Sequence, residues 1–381
     1  MGVPRGCLKR HFPGIERRVE MKVMMLSSLS RESGGWLRTL YIGESLALAG
    51  AEIEWVQPFP RALLKSVDCL LTVPRYSLRA LVSSAQVVIA NKPLPNVLAA
   101  IKILQAKGVM SVLDMDDDDT AMVGPWAARI LESCISPVVR HATLITTHNA
   151  RLAEMLALRY GIESTRLLIL PQGVSPRFFS DCPHIPDDPG VQQWQRQGCK
   201  LLLFMAHMNA ASEMDVILTA LEQAVARDAT VRLVVVGGGV RLDEYILKAR
   251  RRGLESICRF CGQVTVDDVP GYIHVANVCL LYYHDNRYNR VRESMKIREY
   301  LAMGKAVVCN AVGNLDAFRS YIYQSGNTTD DFSCTLVRLL TDASVRDGRE
   351  TLGRNYVRQC LDWTRLGQML ALELSRRMKV T

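Results

Sequence analysis

Short apolar segments alternate with longer segments of helical periodicity in two successive series along the 381-residue chain. The first series runs from MKVMMLSS at 21–28 to RLLILPQG at 166–173, and the second begins with KLLLFMAHM at 200–208. Apolar runs of this length, separated by helices, are typical of parallel strands buried on both faces. The alternation therefore predicts an α/β protein with two doubly wound, Rossmann-like domains.

The alternation lapses once, where Pro and Asp become frequent. We interpret 180–200 as a linker that joins an N-terminal domain, 21–179, to a second domain, 201–355. Residues 356–381 have an amphipathic pattern that predicts a C-terminal helix, and packing back on the first domain is one arrangement open to it. Two such domains face each other across a cleft, and ligands of open α/β sheets bind at strand ends.

Composition limits the partners and the compartment. The net charge of +9 favours anionic partners such as nucleotides, phosphates or an anionic membrane. Basic runs interleaved with aromatic residues, which would predict nucleic-acid binding, are missing from the sequence. The 11 cysteines are scattered, and the single CxxC, Cys258 and Cys261, has no second pair; we expect a reducing cytoplasm and no metal site there. Residues 1–20 are basic, and we interpret them as a disordered tail, with a peripheral tether to the inner face of an anionic membrane as the alternative.

One predicted helix carries an unusual pair of charges. The stretch ESMKIREYLAMGKAVV, 293–308, predicts a helix that stops at Gly304 and leads into a buried strand. Lys296 and Glu299 lie three residues apart and share one helical face. The pair is either an ordinary surface ion pair or the charged wall of a ligand cleft.

The order VVVGGG, FCGQVTVDDVPGYIHVANVCLLYY and MKIREYLAMGKAVVCNAVG resembles the C-terminal half of GT-B fold glycosyltransferases. It is most similar to the retaining family 4, also called glycosyl transferases group 1. The resemblance covers most of residues 21 to about 340 and is strongest over 231–313. It implies that a sugar moves from a nucleotide-sugar donor to a glycan or lipid-linked acceptor with retention, as in polysaccharide biosynthesis. No cofactor is implied, and we expect no metal requirement, because helix N-termini and basic side chains can meet the phosphate charge.

The resemblance assigns roles to the charged helix. Glu299 corresponds to the glutamate that binds the donor ribose, since a carboxylate accepts hydrogen bonds from two vicinal hydroxyls. Lys296 and the helix N-terminus then face the phosphates. The family's first glutamate falls on Val291, and the nearest acidic residue, Glu293, is out of register by two.

Other donor-binding candidates follow from the same comparison. The family's Gly-Arg and Lys, which hold the pyrophosphate, are missing from FMAHMNAASEMD. The basic role therefore passes to Arg290, Arg292 or Lys296, with His207 at the position of the Gly-Arg. Two glycine pairs, Gly237 with Gly238 and Gly34 with Gly35, follow predicted strands in places where the family's backbone approaches the nucleotide.

An acidic run ends another predicted strand, in LDMDDDDTAM. Neighbouring like charges repel, so stability alone does not favour such a run. It predicts either an acidic pocket for acceptor hydroxyls or an amine, with Asp114 or Asp116 as the catalytic base, or a solvated loop and helix cap. A GT-A type Asp-x-Asp metal motif is a third interpretation, and the second Rossmann-like half disfavours it.

Two alternatives to transfer stay open at the level of sequence. The missing family Glu and Arg/Lys are consistent with a catalytically inactive sugar-nucleotide-binding subunit. A GT-B-like epimerase is the other alternative, although its acidic and basic set cannot be mapped onto this chain.

Overall fold

The computed structural model describes residues 20–27, 34–57, 71–91, 94–181, 183–209 and 212–379. The interpretation of 1–20 as a disordered tail therefore lies outside the described residues, apart from Glu20. Within the described ranges, no helix combines the length and the apolar character needed to cross a membrane.

Two six-stranded sheets organise the described part of the chain, and all neighbouring strands in them are parallel. The first has the order β2-β1-β3-β4-β5-β6 and the second β12-β11-β10-β7-β8-β9. The strands are β1 Lys22–Ser27, β2 Glu52–Val56, β3 Val87–Asn91, β4 Met110–Asp114, β5 Leu144–Thr147, β6 Leu167–Ile169, β7 Lys200–Met205, β8 Val231–Val236, β9 Cys258–Phe260, β10 Val278–Leu281, β11 Ala306–Asn310 and β12 Tyr323–Ser325. The prediction of two doubly wound domains is confirmed.

Helices cover both faces of each sheet. They are α1 Gly34–Leu48, α2 Val73–Val82, α3 Pro95–Ala106, α4 Pro125–His141, α5 Ala150–Tyr160, α6 Pro189–Arg196, α7 Met214–Val225, α8 Leu242–Arg251, α9 Val269–Val275, α10 Met295–Ala302, α11 Thr329–Thr341, α12 Arg349–Cys360 and α13 Trp363–Met378. Strand β1 shows why two faces are needed: Met24 and Leu26 pack into one core cluster, whereas Val23 and Met25 pack into the opposite one. Successive side chains of a strand point to opposite faces, so an all-apolar strand needs cover on both.

The chain leaves the first domain earlier than the predicted boundary at 179. Val174 and Phe178 are buried in a core cluster of the second sheet. The segment 180–200 is also not a plain linker, because it contains α6, which Asp188 caps and whose Val191 joins the same cluster. An Asp before Pro189 is an N-cap followed by proline at the first helical position, a helix start that the apolar periodicity did not reveal.

The C-terminal region contains two helices where the sequence predicts one over 356–381. Helix α12 contacts α10 in the second domain, and α13 packs on α1 in the first. A Cβ on Gly367 would lie 2.3 Å from the Ser45 side chain, so α13 and α1 touch closely. The chain passes from the first domain to the second and later returns to the first. A hydrogen bond of 2.7 Å from Val174 N–H to Leu361 O joins these two interdomain segments.

Candidate functional site

A pocket lies where the strand order of the second sheet reverses. The chain proceeds from β7 outward to β9 and then returns to β10 on the other side of β7. Between the carboxyl ends of β7 and β10 is a cavity of about 120 Å³, lined by 204–207, 281–283 and side chains that include Tyr288, Arg292 and Lys296. Such a reversal leaves a crevice between diverging loops, which is where open α/β sheets bind ligands.

Three of the predicted donor-binding residues, His207, Arg292 and Lys296, share this pocket. Arg292 lies against two aromatic rings, with its guanidinium carbon 4.6 Å from the centre of Tyr283 and 5.4 Å from that of Tyr288. Cation–π contacts hold a guanidinium in place without neutralising it. Its positive charge therefore stays available to an anion.

Lys296 lies in the first turn of α10, which begins after the N-cap Ser294. Burial and, to a smaller extent, the neighbouring Arg292 lower the pKa of Lys296 to about 7, although Glu299 opposes the shift. Among the described residues, Lys296 forms no ion pair. An anion placed in the pocket would favour the charged form of this amine.

Glu299 follows one turn later on the same helix. Burial raises its pKa to about 7, while Lys296 and Arg177 oppose the shift. Its side chain keeps partial exposure to the cleft, and within the described part of the chain its carboxylate has no hydrogen bond or ion pair. The interpretation of Lys296 and Glu299 as a surface ion pair is therefore not supported: both are sequestered and neither neutralises the other by contact.

The loop after β7 adds a second wall to the pocket. Ser212 is 4% exposed, its hydroxyl has no partner among the described residues, and it lines the pocket. Glu213 is the N-cap residue of α7 and has a φ of 57°, the one positive φ among the described non-glycine residues. Its Oε2 lies 2.7 Å from His284 Nε2. The free N–H groups of the α7 N-terminus favour an anion here. Neither Ser212 nor Glu213 belongs to a motif that stands out in the sequence.

The glycines after β8 pack closely against protein backbone, and contact of Gly237 and Gly238 with the donor stays a prediction. A Cβ on Gly237 would lie 1.8 Å from the Ala206 carbonyl oxygen, and a Cβ on Gly239 2.4 Å from that of Met208. The loop after β8 therefore packs against the loop that forms the pocket wall, with Met208 N–H donating to Gly238 O at 2.9 Å. These glycines support the wall, and their close approach is to backbone.

Gly34 and Gly35 lie in the first turn of α1 and not in a loop. Residues 28–33, which precede them, and 92–93, which follow β3, are outside the described residues. Contact of these glycines with a donor phosphate therefore stays a prediction.

Two further candidates are corrected by their partners. Arg290 is largely exposed, pairs with Asp285 at 2.7 Å and does not line the pocket. Glu293 is buried at the seam between the domains, where it forms an ion pair with Arg298 and accepts hydrogen bonds from Asn149 and Asn314. Its oxygens are committed to protein groups, so the geometry argues against a role in donor binding.

The geometry of Asp114 argues most clearly against its predicted role as a catalytic base. It is 1% exposed and accepts two hydrogen bonds of 2.8 Å from Arg38, which is equally buried. Thr146 and Asn91 donate to the same carboxylate at 2.7 and 3.2 Å. All the lone pairs of the Asp114 carboxylate thus accept hydrogen bonds from protein donors, whereas a general base needs a free lone pair to take up a proton. We therefore assign Asp114 to the fold and not to catalysis.

The rest of the acidic run divides between two settings. Asp118 is 4% exposed; although burial would raise its pKa, hydrogen bonds from Arg159 and Thr120 lower it to about 2. Asp116 is 8% exposed and lies within electrostatic reach of His148. It stays the remaining candidate for a base. Among the described residues, no group of His, Cys, Asp and Glu has an arrangement that could hold a metal ion.

Asn149 is a residue at the seam that the sequence did not indicate as functional. Its Oδ1 caps α5 by accepting from Leu152 N–H, which the Asn before a helical pattern could have predicted. Its Nδ2 donates to the Val291 carbonyl at 3.0 Å in the other domain. Next to it, His148 Nε2 lies 3.2 Å from the same carbonyl, and burial lowers the pKa of His148.

Two Rossmann-like domains that face a common cleft, with a cationic pocket at the switch point of the second, define the GT-B class of fold. Solved structures agree with this class. Sucrose-phosphate synthase from Thermosynechococcus elongatus matches with a TM-score of 0.73 at 14% identity, covering 96% of this chain and 100% of that one. Anabaena HepE in complex with UDP and glucose matches with a TM-score of 0.68 at 14% identity, covering 93% and 100%.

The second domain also matches a known protein family. Residues 199–342 match the family described as Glycosyl transferases group 1, so the resemblance of the second domain to that family is confirmed. The phosphatidyl-myo-inositol mannosyltransferase of Mycolicibacterium smegmatis is 28% identical over 203 residues, which are 51% of this chain and 48% of that protein. The chain spans about half the length of the curated relatives it matches.

Proposed function

We propose that this protein is a glycosyltransferase that moves a hexose from a nucleotide-sugar donor to a glycan or lipid-linked acceptor. One observation carries the proposal. Lys296 and Glu299 lie on a single helix at the switch point of a GT-B fold, are largely shielded from water and have no hydrogen-bond or ion-pair partner among the described residues. Keeping unpaired charges away from water destabilises a fold, so a ligand that pairs with them explains their presence.

The two charges suit different parts of a nucleotide sugar. Lys296, Arg292 and the α7 N-terminus would neutralise the diphosphate, which gathers negative charge as it departs from the sugar. Glu299 would accept hydrogen bonds from the ribose hydroxyls and hold the donor in place. We propose that transfer occurs with retention and without a covalent sugar–enzyme intermediate. The leaving phosphate, on the acceptor's side of the sugar, would then take the acceptor proton.

The comparisons suggest the first compounds to try. HepE is described as a complex with UDP and glucose, and the curated relatives are named for a phosphatidylinositol and an inositol phosphate. A panel of UDP-, GDP- and dTDP-hexoses would be incubated with glycan, inositol phosphate and lipid-linked acceptors, and the products identified by mass spectrometry. We expect transfer from one nucleotide class. Absence of both transfer and donor hydrolysis across the panel would contradict the proposal.

A catalytically inactive nucleotide-binding subunit is the second candidate, and one observation favours it. Val291, at the position of the family's first glutamate, packs against the core cluster of the first domain. This position therefore offers no carboxylate to a sugar. Tight binding of a nucleotide sugar, with neither hydrolysis nor transfer, would favour this candidate.

Lys296→Met is expected to weaken binding of UDP about tenfold, because a charge-assisted hydrogen bond to phosphate is lost. Uridine, which has no phosphate, should lose far less. The measurement is calorimetric titration of wild type and variant with both compounds. An equal loss for UDP and uridine would contradict a phosphate role for Lys296.

The pKa of Lys296 adds a pH dependence that can be checked separately. With a pKa of about 7 the amine is charged below neutral pH and loses its proton above it. Because Glu299 titrates in the same range with the opposite effect, the test uses the Glu299→Gln background, in which affinity for UDP-glucose, whose diphosphate does not titrate here, should fall from pH 6 to pH 8. In Lys296→Arg the side chain stays charged throughout, so this fall should disappear.

Chelation tests the expected independence from metal. Because Lys296, Arg292 and the α7 N-terminus supply positive charge at the pocket, sugar transfer should proceed at an unchanged rate after exhaustive treatment with EDTA. The control is the same preparation with added Mg²⁺ or Mn²⁺. Loss of transfer in EDTA with recovery in Mn²⁺ would revive the acidic run as a metal site.

A further inference from the structure

The segment between β10 and α10, residues 284–293, carries two side chains of the pocket, Tyr288 and Arg292. We call it the pocket segment. Its own domain shapes it through a local turn, in which Asn289 N–H donates to Asn286 Oδ1 at 2.8 Å. This turn precedes Arg292 and does not fix it. The rings of Tyr283 and Tyr288 orient the Arg292 guanidinium, and the backbone that carries it depends on contacts closer to that residue.

The first domain contributes contacts on both sides of Arg292, in addition to those that Arg298 and Asn314 of the second domain make with Glu293. Asn149 Nδ2 donates to the Val291 carbonyl at 3.0 Å and to Glu293 Oε2 at 3.1 Å. The Val291 side chain packs against the core cluster of the first domain. One amide from the opposite domain thus holds the residues directly before and after the pocket arginine.

An ion pair holds the pocket segment at a third point. Arg287 Nη2 lies 3.2 Å from Asp118 Oδ2, and Asp118 is also held by Arg159 at 2.8 Å. The Arg287 side chain is 69% exposed, whereas that of Asp118 is 4% exposed. Removing the Arg287 side chain therefore leaves Asp118 paired within its own domain, and the first domain keeps its packing.

We propose that Asn149 and Asp118 are positioning residues for the donor: they hold the pocket segment across the domain seam and so set Arg292 against the diphosphate. The inference rests on the proposed function, because it requires the pocket to take a diphosphate. The phosphate site is then complete only while the two domains are held together. By linkage, a bound diphosphate favours the joined arrangement in return.

This arrangement also gives the acidic run a role outside catalysis and outside metal binding. Asp118 presents a buried carboxylate at the seam, already oriented by Arg159, to which the other domain attaches its pocket segment. Without the seam contacts, a segment of several residues gains backbone freedom that ligand binding must remove. Diphosphate affinity should therefore fall although neither residue touches the donor.

Asn149→Asp is the sharpest test. The carboxylate still accepts from Leu152 N–H and keeps the α5 cap, but it cannot donate to Val291 and it faces Glu293 with like charge. We expect the Kd for UDP to rise about tenfold and the Kd for uridine to stay the same, by calorimetric titration. Asn149→Ser, which also keeps a capping oxygen, is the second variant in case the aspartate impairs folding.

Arg287→Gln tests the ion pair, and the chain offers a matched control. An exposed arginine on a buried aspartate should change the Kd for UDP about two- to fivefold. Arg259 forms the same kind of pair with Asp188, at 3.0 Å with the aspartate side chain 8% exposed, wholly within the second domain. Arg259→Gln is therefore expected to leave the affinity for UDP unchanged.

The outcomes separate the inference from the proposed function. Wild-type protein that binds none of UDP, GDP and dTDP overturns the proposed function, and the inference with it. Binding by wild type together with unchanged UDP affinity in Asn149→Asp and Arg287→Gln overturns the inference alone. An equal loss of UDP and uridine binding also overturns it, because general loosening and not Arg292 would then be the cause. A loss confined to the diphosphate, absent in Arg259→Gln, supports it.

Discussion

Replacing Asp114 with asparagine is expected to lower the free energy of unfolding by about 3–5 kcal/mol, since it leaves the Arg38 guanidinium buried without a counter-charge. Burial lowers the pKa of Arg38, but Asp114 more than compensates and holds it raised. Asparagine keeps the shape of the side chain and one acceptor oxygen. Its NH2 group faces protein donors in place of the second oxygen, so the loss combines the missing charge with lost hydrogen bonds. Urea unfolding of wild type and variant measures it.

The same variant separates a structural Asp114 from a catalytic one. A general base predicts a stable protein that has lost sugar transfer, whereas the buried pair predicts a strongly destabilised one. The double variant Arg38→Met with Asp114→Leu removes both charges and should lose less than the sum of the single variants. Normal stability of Asp114→Asn would refute the assignment to the fold.

Glu299→Gln is expected to weaken nucleotide binding about tenfold to a hundredfold at pH 8, because a charged acceptor of two ribose hydrogen bonds is lost. At pH 6 the wild-type side chain, with a pKa of about 7, is mostly protonated and resembles glutamine. The difference between wild type and variant should therefore shrink at pH 6. Calorimetric titration with UDP, GDP and uridine at both pH values measures it.

Stability gives the complementary check on Glu299. Its pKa is raised in the fold from 4.5, so the folded state binds more protons than the unfolded chain between pH 4.5 and about 7. The free energy of unfolding of the ligand-free protein consequently falls as the pH rises from 4.5 to about 7 and Glu299 ionises. Above about pH 7 it falls no further through this group. Glu299→Gln should be at least as stable as wild type at pH 8. Glu244→Gln, an exposed glutamate on α8, is the matched control. Unchanged nucleotide affinity in Glu299→Gln would falsify the site.

The sequence by itself determined the architecture and the charged helix. Apolar runs report burial on both faces of a sheet, and their repetition in two series reports two domains, because burial and periodicity are local properties. The stop at Gly304, which has φ 65, is local for the same reason. The position of Glu299 five residues before this glycine was therefore readable, and so was its companion Lys296.

Tertiary structure alone decided the roles within the acidic run. Asp114 meets Arg38 from 76 positions earlier and Asp118 meets Arg287 from 169 positions later, separations that leave no local pattern. Asn149 was visible as a helix cap, but its contact with Val291 spans 142 positions. Whether a carboxylate is a base, a buried ion-pair partner or an anchor between domains depends on which donors surround it. Those donors reach it only once both sheets and the crossings between them have formed.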